Sequence, residues 1–184
     1  MANAIPPVRR VITGIDANGR SHVVCDSFAG NVIAHRTLPA YGISLLWNSS
    51  SAPADNSEIA EDSTLAVIPK PAGTSFLIAT FPPEAEVNAL PPEQRADYVN
   101  VSGNFAAMIG GANPRDPRMH ATETLDYGVV LAGELTMLLD DEEIVLRAGD
   151  TIIQRGATHA WINRGNCVAI MATVVVDAKP HPYR

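Results

Sequence analysis

Only two of the 184 residues are cysteine, Cys25 and Cys167. They lie far apart with no CxxC spacing, which excludes a disulfide framework and a cysteine-based zinc site. The expectation is that both are reduced, buried, small apolar residues. Charge is scarce as well, at 18% of residues, below the usual quarter. There are 13 basic and 20 acidic side chains, a formal net charge of −7. No stretch collects Lys and Arg, so a nucleic-acid surface, which needs clustered cations against phosphate, is excluded. The longest nearly apolar run, Val168 to Val176, is too short to span a bilayer, and the opening MANAIPPVRRVITG holds no apolar stretch of signal-peptide length. The expectation is a cytoplasmic protein with no membrane partner. Neither a G-x-S-x-G elbow nor a Walker A loop is present, which argues against acyl transfer and nucleotide hydrolysis.

What the chain has is turns and short apolar runs. Hydrophobic residues make up 46%, enough for a sizeable core, and 13 Gly and 14 Pro disfavour a helical bundle. Val8 to Thr13 and Arg20 to Asp26 flank Ala17-Asn18-Gly19 and read as a hairpin, because Asn and Gly tolerate positive φ. Asn31 to Arg36 and Gly42 to Asn48 are further strands, and Ser49 to Ser63 is polar enough to read as a surface loop. Leu65 to Ile68 and Thr74 to Phe81 read as strands around a Pro-rich turn. One helix is expected between Pro92 and Ile109, where Tyr98, Val101, Phe105 and Met108 form a stripe. From Arg118 onward come six candidate strands: Leu125 to Leu131, Glu134 to Leu139, Glu142 to Leu146, Thr151 to Gln154, Thr158 to Asn163 and Val168 to Val176. Spacing this regular predicts an all-β sandwich or barrel.

The polar residues of that half form two groups. Gly149-Asp150 opens a segment that runs through Gln154 and Gly156 to His159, Trp161 and Asn163, and its Gly-x-x-His-x-x-x-Asn core resembles the second motif of the cupin superfamily. In that pattern Gln154 stands where Pro is usual. The earlier run His120-Ala121-Thr122-Glu123-Thr124-Leu125-Asp126, followed after six residues by Gly133, is similar to the first cupin motif. There His120 matches the first His, Asp126 matches the Glu, and Thr122 replaces the second His. The run His-x-Thr-x-Thr-x-Asp-Tyr-Gly looks like that of a subgroup of single-domain cupins. The resemblance covers Met119 to Asn163 and implies a cupin jelly-roll (double-stranded β-helix) barrel. Residues 118–177 would be its motif core, 1–117 would supply an N-terminal strand extension and a short helix, and 178–184 would be a tail. It also implies a homodimer.

Parity along the strands gives a reading of the same residues by itself. His120, Thr122, Asp126, Gly128 and Val130 share one face, as do His159, Trp161 and Asn163. If both faces point into one barrel, His120, Asp126 and His159 converge as two imidazoles and a carboxylate, the ligand set of a facial triad. Such a set suits Fe(II) or Zn first, with Mn, Co and Ni as alternatives. Glu123 is the alternative carboxylate, as ligand or as general base, so the catalytic candidates are Glu123 and Asp126. Thr122, Gln154 and Trp161 are the candidates for lining the substrate pocket. His35 lies on an early strand within possible reach of the barrel, whereas His22 and His181 have no partner at ligand spacing. The leading expectation is a metal-dependent small-molecule enzyme of the dioxygenase, isomerase, decarboxylase or lyase type. The alternative, favoured by Thr122, is a metal-free cupin that binds a small molecule or works by acid–base chemistry.

Overall fold

The computed structural model describes residues 5–58, 62–99 and 114–183, with the side chains of 63 and 96–99 left aside. Eleven strands are formed among them: β1 (Arg9–Ile15), β2 (Ser21–Phe28), β3 (Asn31–Ala34), β4 (Gly42–Ser49), β5 (Thr74–Phe81), β6 (Thr124–Ala132), β7 (Glu134–Leu138), β8 (Glu143–Arg147), β9 (Thr151–Arg155), β10 (Ala160–Ile162) and β11 (Ala169–Asp177). Two short helices, α1 (Glu84–Asn88) and α2 (Pro92–Val99), follow the Pro82-Pro83 break. The all-β class is therefore as expected, with α1 as an addition. The apolar stripe from Tyr98 to Met108 lies outside the described side chains.

A six-stranded sheet in the order β3-β4-β5-β11-β6-β9 faces a three-stranded sheet β10-β7-β8, and β1-β2 forms a separate ribbon. β11 is central, antiparallel to β5 on one side and β6 on the other. Its burial follows from composition, since Ala169–Asp177 is a nearly continuous apolar run of the kind that packs on both faces. The core joins the two sheets: Leu45, Leu77, Val130 and Met171 from the larger pack with Leu135 and Leu146 from the smaller. Leu135 and Leu45 are completely or almost completely buried, and each such side chain contributes about 2 kcal/mol. The β1-β2 ribbon instead leaves Val11, Ile15, Val23, Val24 and Phe28 exposed.

Two expectations are corrected. Leu65 to Ile68 is not a strand: the Asn48 side chain takes the Ala66 N–H (2.7 Å) and donates to the Ala66 carbonyl (3.1 Å), and the Ser75 hydroxyl donates to the same carbonyl. Side chains thus replace a strand ladder, while Leu65 and Val67 still reach the core. Cys167 is exposed and Cys25 half-buried, both as free thiols, because both lie outside the space between the sheets.

The β6-β7 turn depends on Gly133, whose φ is +73°. A Cβ there would meet the Ala169 Cα at 2.9 Å, and backbone cannot step aside as a side-chain tip can. Gly133→Ala is expected to lower stability by about 2 kcal/mol, combining left-handed strain with the clash. Chemical denaturation of the two proteins, compared at their midpoints, checks this.

Candidate functional site

His120 and His159 are held together by backbone. They form an isolated antiparallel bridge, with each N–H donating to the other's carbonyl at 2.9 and 2.8 Å. Their rings consequently lie 4.7 Å apart between centroids. On the neighbouring strand β6, Thr124 and Asp126 point inward, and Tyr127 between pleats is exposed. Register sets Asp126 opposite Gln154 of β9 and opposite Val175 of β11.

These side chains surround a cavity of about 160 Å³ between the two sheets. A cavity of about 150 Å³ holds a benzene-sized molecule, so the space suits a small ring or a short branched chain. Most of its wall is apolar, from Ile43, Leu77, Ala79, Phe81, Met171 and Val175. The polar wall is His120, Thr122, Thr124, Asp126, His159 and Thr173, with Arg118, Tyr41 and Trp161 also lining it. Trp161 stands edge-on to His159, with centroids 5.7 Å apart.

Within that wall the groups differ in their partners. Thr122 and Thr124 share a hydroxyl–hydroxyl bond of 2.6 Å. Asp126 Oδ1 and Thr173 Oγ1 are buried with no hydrogen-bond partner, a state that buried polar atoms rarely keep unless a ligand or water meets them. Burial pushes the Asp126 carboxyl up to about 6, against a smaller opposing pull from the Thr124 hydroxyl. Burial also holds the His120 imidazole below the usual histidine range, outweighing the Arg118 carbonyl that accepts from its Nδ1. The site at neutral pH thus contains a neutral imidazole beside a carboxylate poised near its own titration. The Tyr41 phenol is pushed up to about 12 by burial and stays protonated.

Several expectations find their place here. His120, Asp126, His159, Thr122 and Trp161 are brought to one cavity. Glu123 is not: it is exposed and lines a separate outer recess with Arg155, Lys179 and His181, because neighbouring residues on an extended segment face opposite sides. Gln154 does not line the cavity either. It is 4% exposed and sits behind His159, donating to the Ala157 carbonyl at 2.6 Å and lying 2.6 Å from His159 Nδ1. His35 serves a turn, where its Nδ1 accepts the Leu38 N–H at 3.0 Å. Arg118, Tyr41 and Thr173 are residues that the strand pattern alone did not single out. Arg118 shares parity with His120, and Thr173 is the polar exception inside an apolar run, so a signal for both existed.

His120, His159 and Asp126 line one cavity, yet among the described residues no three His, Cys, Asp or Glu side chains are grouped to hold one ion. The arrangement does not fit a facial triad.

A family model described as Cupin domain matches residues 105–176. This segment is a cupin domain. The jelly-roll architecture expected from the two motifs is the one described above. Phomopsin biosynthesis cluster protein C' of Diaporthe leptostromiformis is 47% identical over 85 residues, 45% of each chain. The cupin-domain-containing oxidoreductase fogC of Aspergillus ruber is 42% identical over 79 residues, covering 41% of this chain and 39% of that one. The alignments thus span less than half the length of these curated relatives. A solved protein with a double-stranded β-helix domain from Klebsiella pneumoniae aligns over 79% of this chain and 84% of its own, at 13% identity and a TM-score of 0.44. No helix among the described residues is long and apolar enough to cross a membrane.

Proposed function

We propose that the cupin domain is a metal-free enzyme that moves protons on a small oxygenated substrate inside the barrel. The observation that carries this reading is the unpartnered, buried Asp126 Oδ1 facing an apolar cavity whose other polar groups are imidazoles and hydroxyls. A carboxylate so placed takes a proton from the carbon beside a carbonyl, and the C–H electron pair moves into a new C=C bond as the carbonyl oxygen becomes an enolate. The enolate oxygen is met by an imidazole N–H in the same wall. In a β,γ-unsaturated ketone the enolate is a dienolate, and return of the proton from Asp126 to its γ-carbon completes a double-bond isomerisation with no oxidant or reductant.

Deuterium wash-in supplies the test. Protein in D2O is mixed with a panel of small cyclic and branched ketones and enones, and exchange at the carbon beside the carbonyl is followed by NMR. Exchange that disappears in Asp126→Asn supports the reading, whereas no exchange with any panel member, or equal exchange in the variant, removes it. The Aspergillus ruber relative, a cupin-domain-containing oxidoreductase, favours a second reading, oxidoreductase chemistry, for which Fe(II) is the metal that would supply the redox step. Metal analysis of protein purified without chelator decides between them: a stoichiometric transition metal would replace the metal-free reading.

A further inference from the structure

Several buried hydroxyls of this barrel find a partner close by. Ser75 donates to the Ala66 carbonyl at 2.7 Å, Thr80 donates to the Gly42 carbonyl at 3.3 Å, and Thr122 and Thr124 bond to one another. Thr173 of β11 does not. It is 8% exposed, it lines the cavity, and its Oγ1 is buried without a hydrogen-bond partner. The strand pairing explains why. Thr173 lies opposite Gly128 of β6, which has no side chain, and opposite Leu77 of β5, which has no side-chain group to donate or accept. Its neighbours on the same face of β11, Met171 and Val175, are apolar cavity wall as well. A valine would fill this position equally well by size and strand preference and would bury no hydroxyl. The oxygen is thus a cost that the fold alone does not offset.

Asp126 Oδ1 is another unpartnered oxygen of the same wall. Asp126 lies opposite Val175, so Thr173 is its diagonal neighbour on the adjoining strand, and Cα atoms in such a pair are about 7–8 Å apart. The two oxygens make no bond to each other, yet both belong to a space that holds one small ring or short branched chain. We propose that Thr173 is a specificity-determining residue: its hydroxyl takes a second oxygen of the ligand, so that the cavity selects small hydroxyketones over simple ketones. The ketone end lies at Asp126 and the ligand hydroxyl at Thr173, which both donates and accepts and so matches it. The inference rests on the reading of this cavity as the substrate site and names the substrate class; it does not depend on which reaction Asp126 performs.

The test is the dissociation constant, from NMR titration of the full chain, of cyclohexanone against the isomeric hydroxycyclohexanones and of butanone against the isomeric hydroxybutanones. At least one hydroxyketone is expected to bind about tenfold more tightly than its parent ketone. In Thr173→Val that ratio should fall to about one, and in Thr173→Ser, which keeps the hydroxyl, it should persist. Chemical denaturation adds a readout that needs no ligand: the midpoint of Thr173→Val should equal or exceed that of wild type, because no bond inside the protein is lost. Wild type that prefers no hydroxyketone overturns the proposal, as does a ratio kept in Thr173→Val or lost equally in Thr173→Ser. A lowered midpoint for Thr173→Val also overturns it, since the hydroxyl would then have a partner within the fold. The two readings of the site fail separately. An absence of deuterium exchange with the affinity ratio intact removes the proton-transfer reading alone, and Asp126-dependent exchange with a ratio of one removes the role of Thr173 alone.

Discussion

Asp126→Asn is expected to reduce proton transfer at least about a hundredfold while making the protein more stable than wild type at neutral pH. The sign follows from the raised carboxyl. In the unfolded chain Asp126 ionises near the ordinary aspartate value, and in the fold it holds its proton up to about 6. The contribution of this group is therefore fully present below pH 4 or so and is lost as pH rises toward and through 6. An asparagine has nothing to ionise, so the variant gains on wild type across that window, by about 2 kcal/mol above pH 7 and by nothing at pH 4. His120 acts with the opposite sign. Its imidazole is held neutral, so its contribution is present above the usual histidine range and fades as pH falls. Being common to both proteins, it cancels in the difference. Arg118 and His159 line the same cavity and are likewise unchanged. Thermal unfolding of both proteins from pH 4 to pH 8 measures the gap, and a gap that stays constant with pH would show that Asp126 is not desolvated.

Arg118→Met is expected to give the largest loss of stability, about 3 kcal/mol. The guanidinium forks onto two carboxylates: Nη1 and Nη2 reach Glu84 at 2.8 and 3.0 Å, while Nε and Nη2 reach Asp116 at 2.7 Å each. Only 14% of the Arg118 side chain is exposed, and the two acids are mostly covered. Removing the cation leaves two partly buried carboxylates with no counter-charge, which is worse than having no pair at all. Lysine should recover only part of the loss, because a single ammonium cannot serve both forks. The pH dependence has a definite direction. Burial by itself pushes the Asp116 carboxyl up, but the hydrogen bonds from Arg118 outweigh it and hold the group below its usual range. Wild type therefore keeps this contribution above the ordinary aspartate value and loses it as pH falls below it. The deficit of Arg118→Met should shrink in acid, and urea unfolding at pH 7 and pH 3 reads it directly. The same fork ties α1 to the segment entering β6, and the Arg118 carbonyl orients His120, so the variant also loosens the cavity rim.

Asn163 shows how one motif residue serves the fold more than the chemistry. It is 2% exposed, donates to the carbonyls of Phe81 and Cys167 at 2.8 and 2.7 Å, and accepts from the Gly165 N–H at 2.9 Å. Asn163→Ala leaves buried backbone groups unpaired and should lower stability by about 2 kcal/mol with little change in ligand binding to the cavity, as calorimetry would show.

Much of this was determined by the sequence. Strict alternation along Thr124–Ala132 is a local property of extended chain, so it already assigned Asp126 and Tyr127 to opposite faces. Asn18-Gly19 placed a turn from residue types alone, and Gly19 adopts there a φ of +76° that few residues other than glycine accept. The likeness of His120 and His159 to cupin motif positions likewise required only residue types and spacing. What the tertiary structure decided is everything that depends on groups distant in the chain. Leu65 to Ile68 reads as a strand locally, but the Asn48 amide takes over its backbone bonds from across a loop. Thr173 and Tyr41 join the site only because β11 pairs with β6 and the residue just before β4 lines the same cavity. Glu123 is three residues from His120 and Asp126 from Glu123, yet a single pleat sends one carboxylate to solvent and the other into an apolar cavity. Desolvation, which sets the proton affinity of Asp126, is a property of the surrounding atoms and not of the chain.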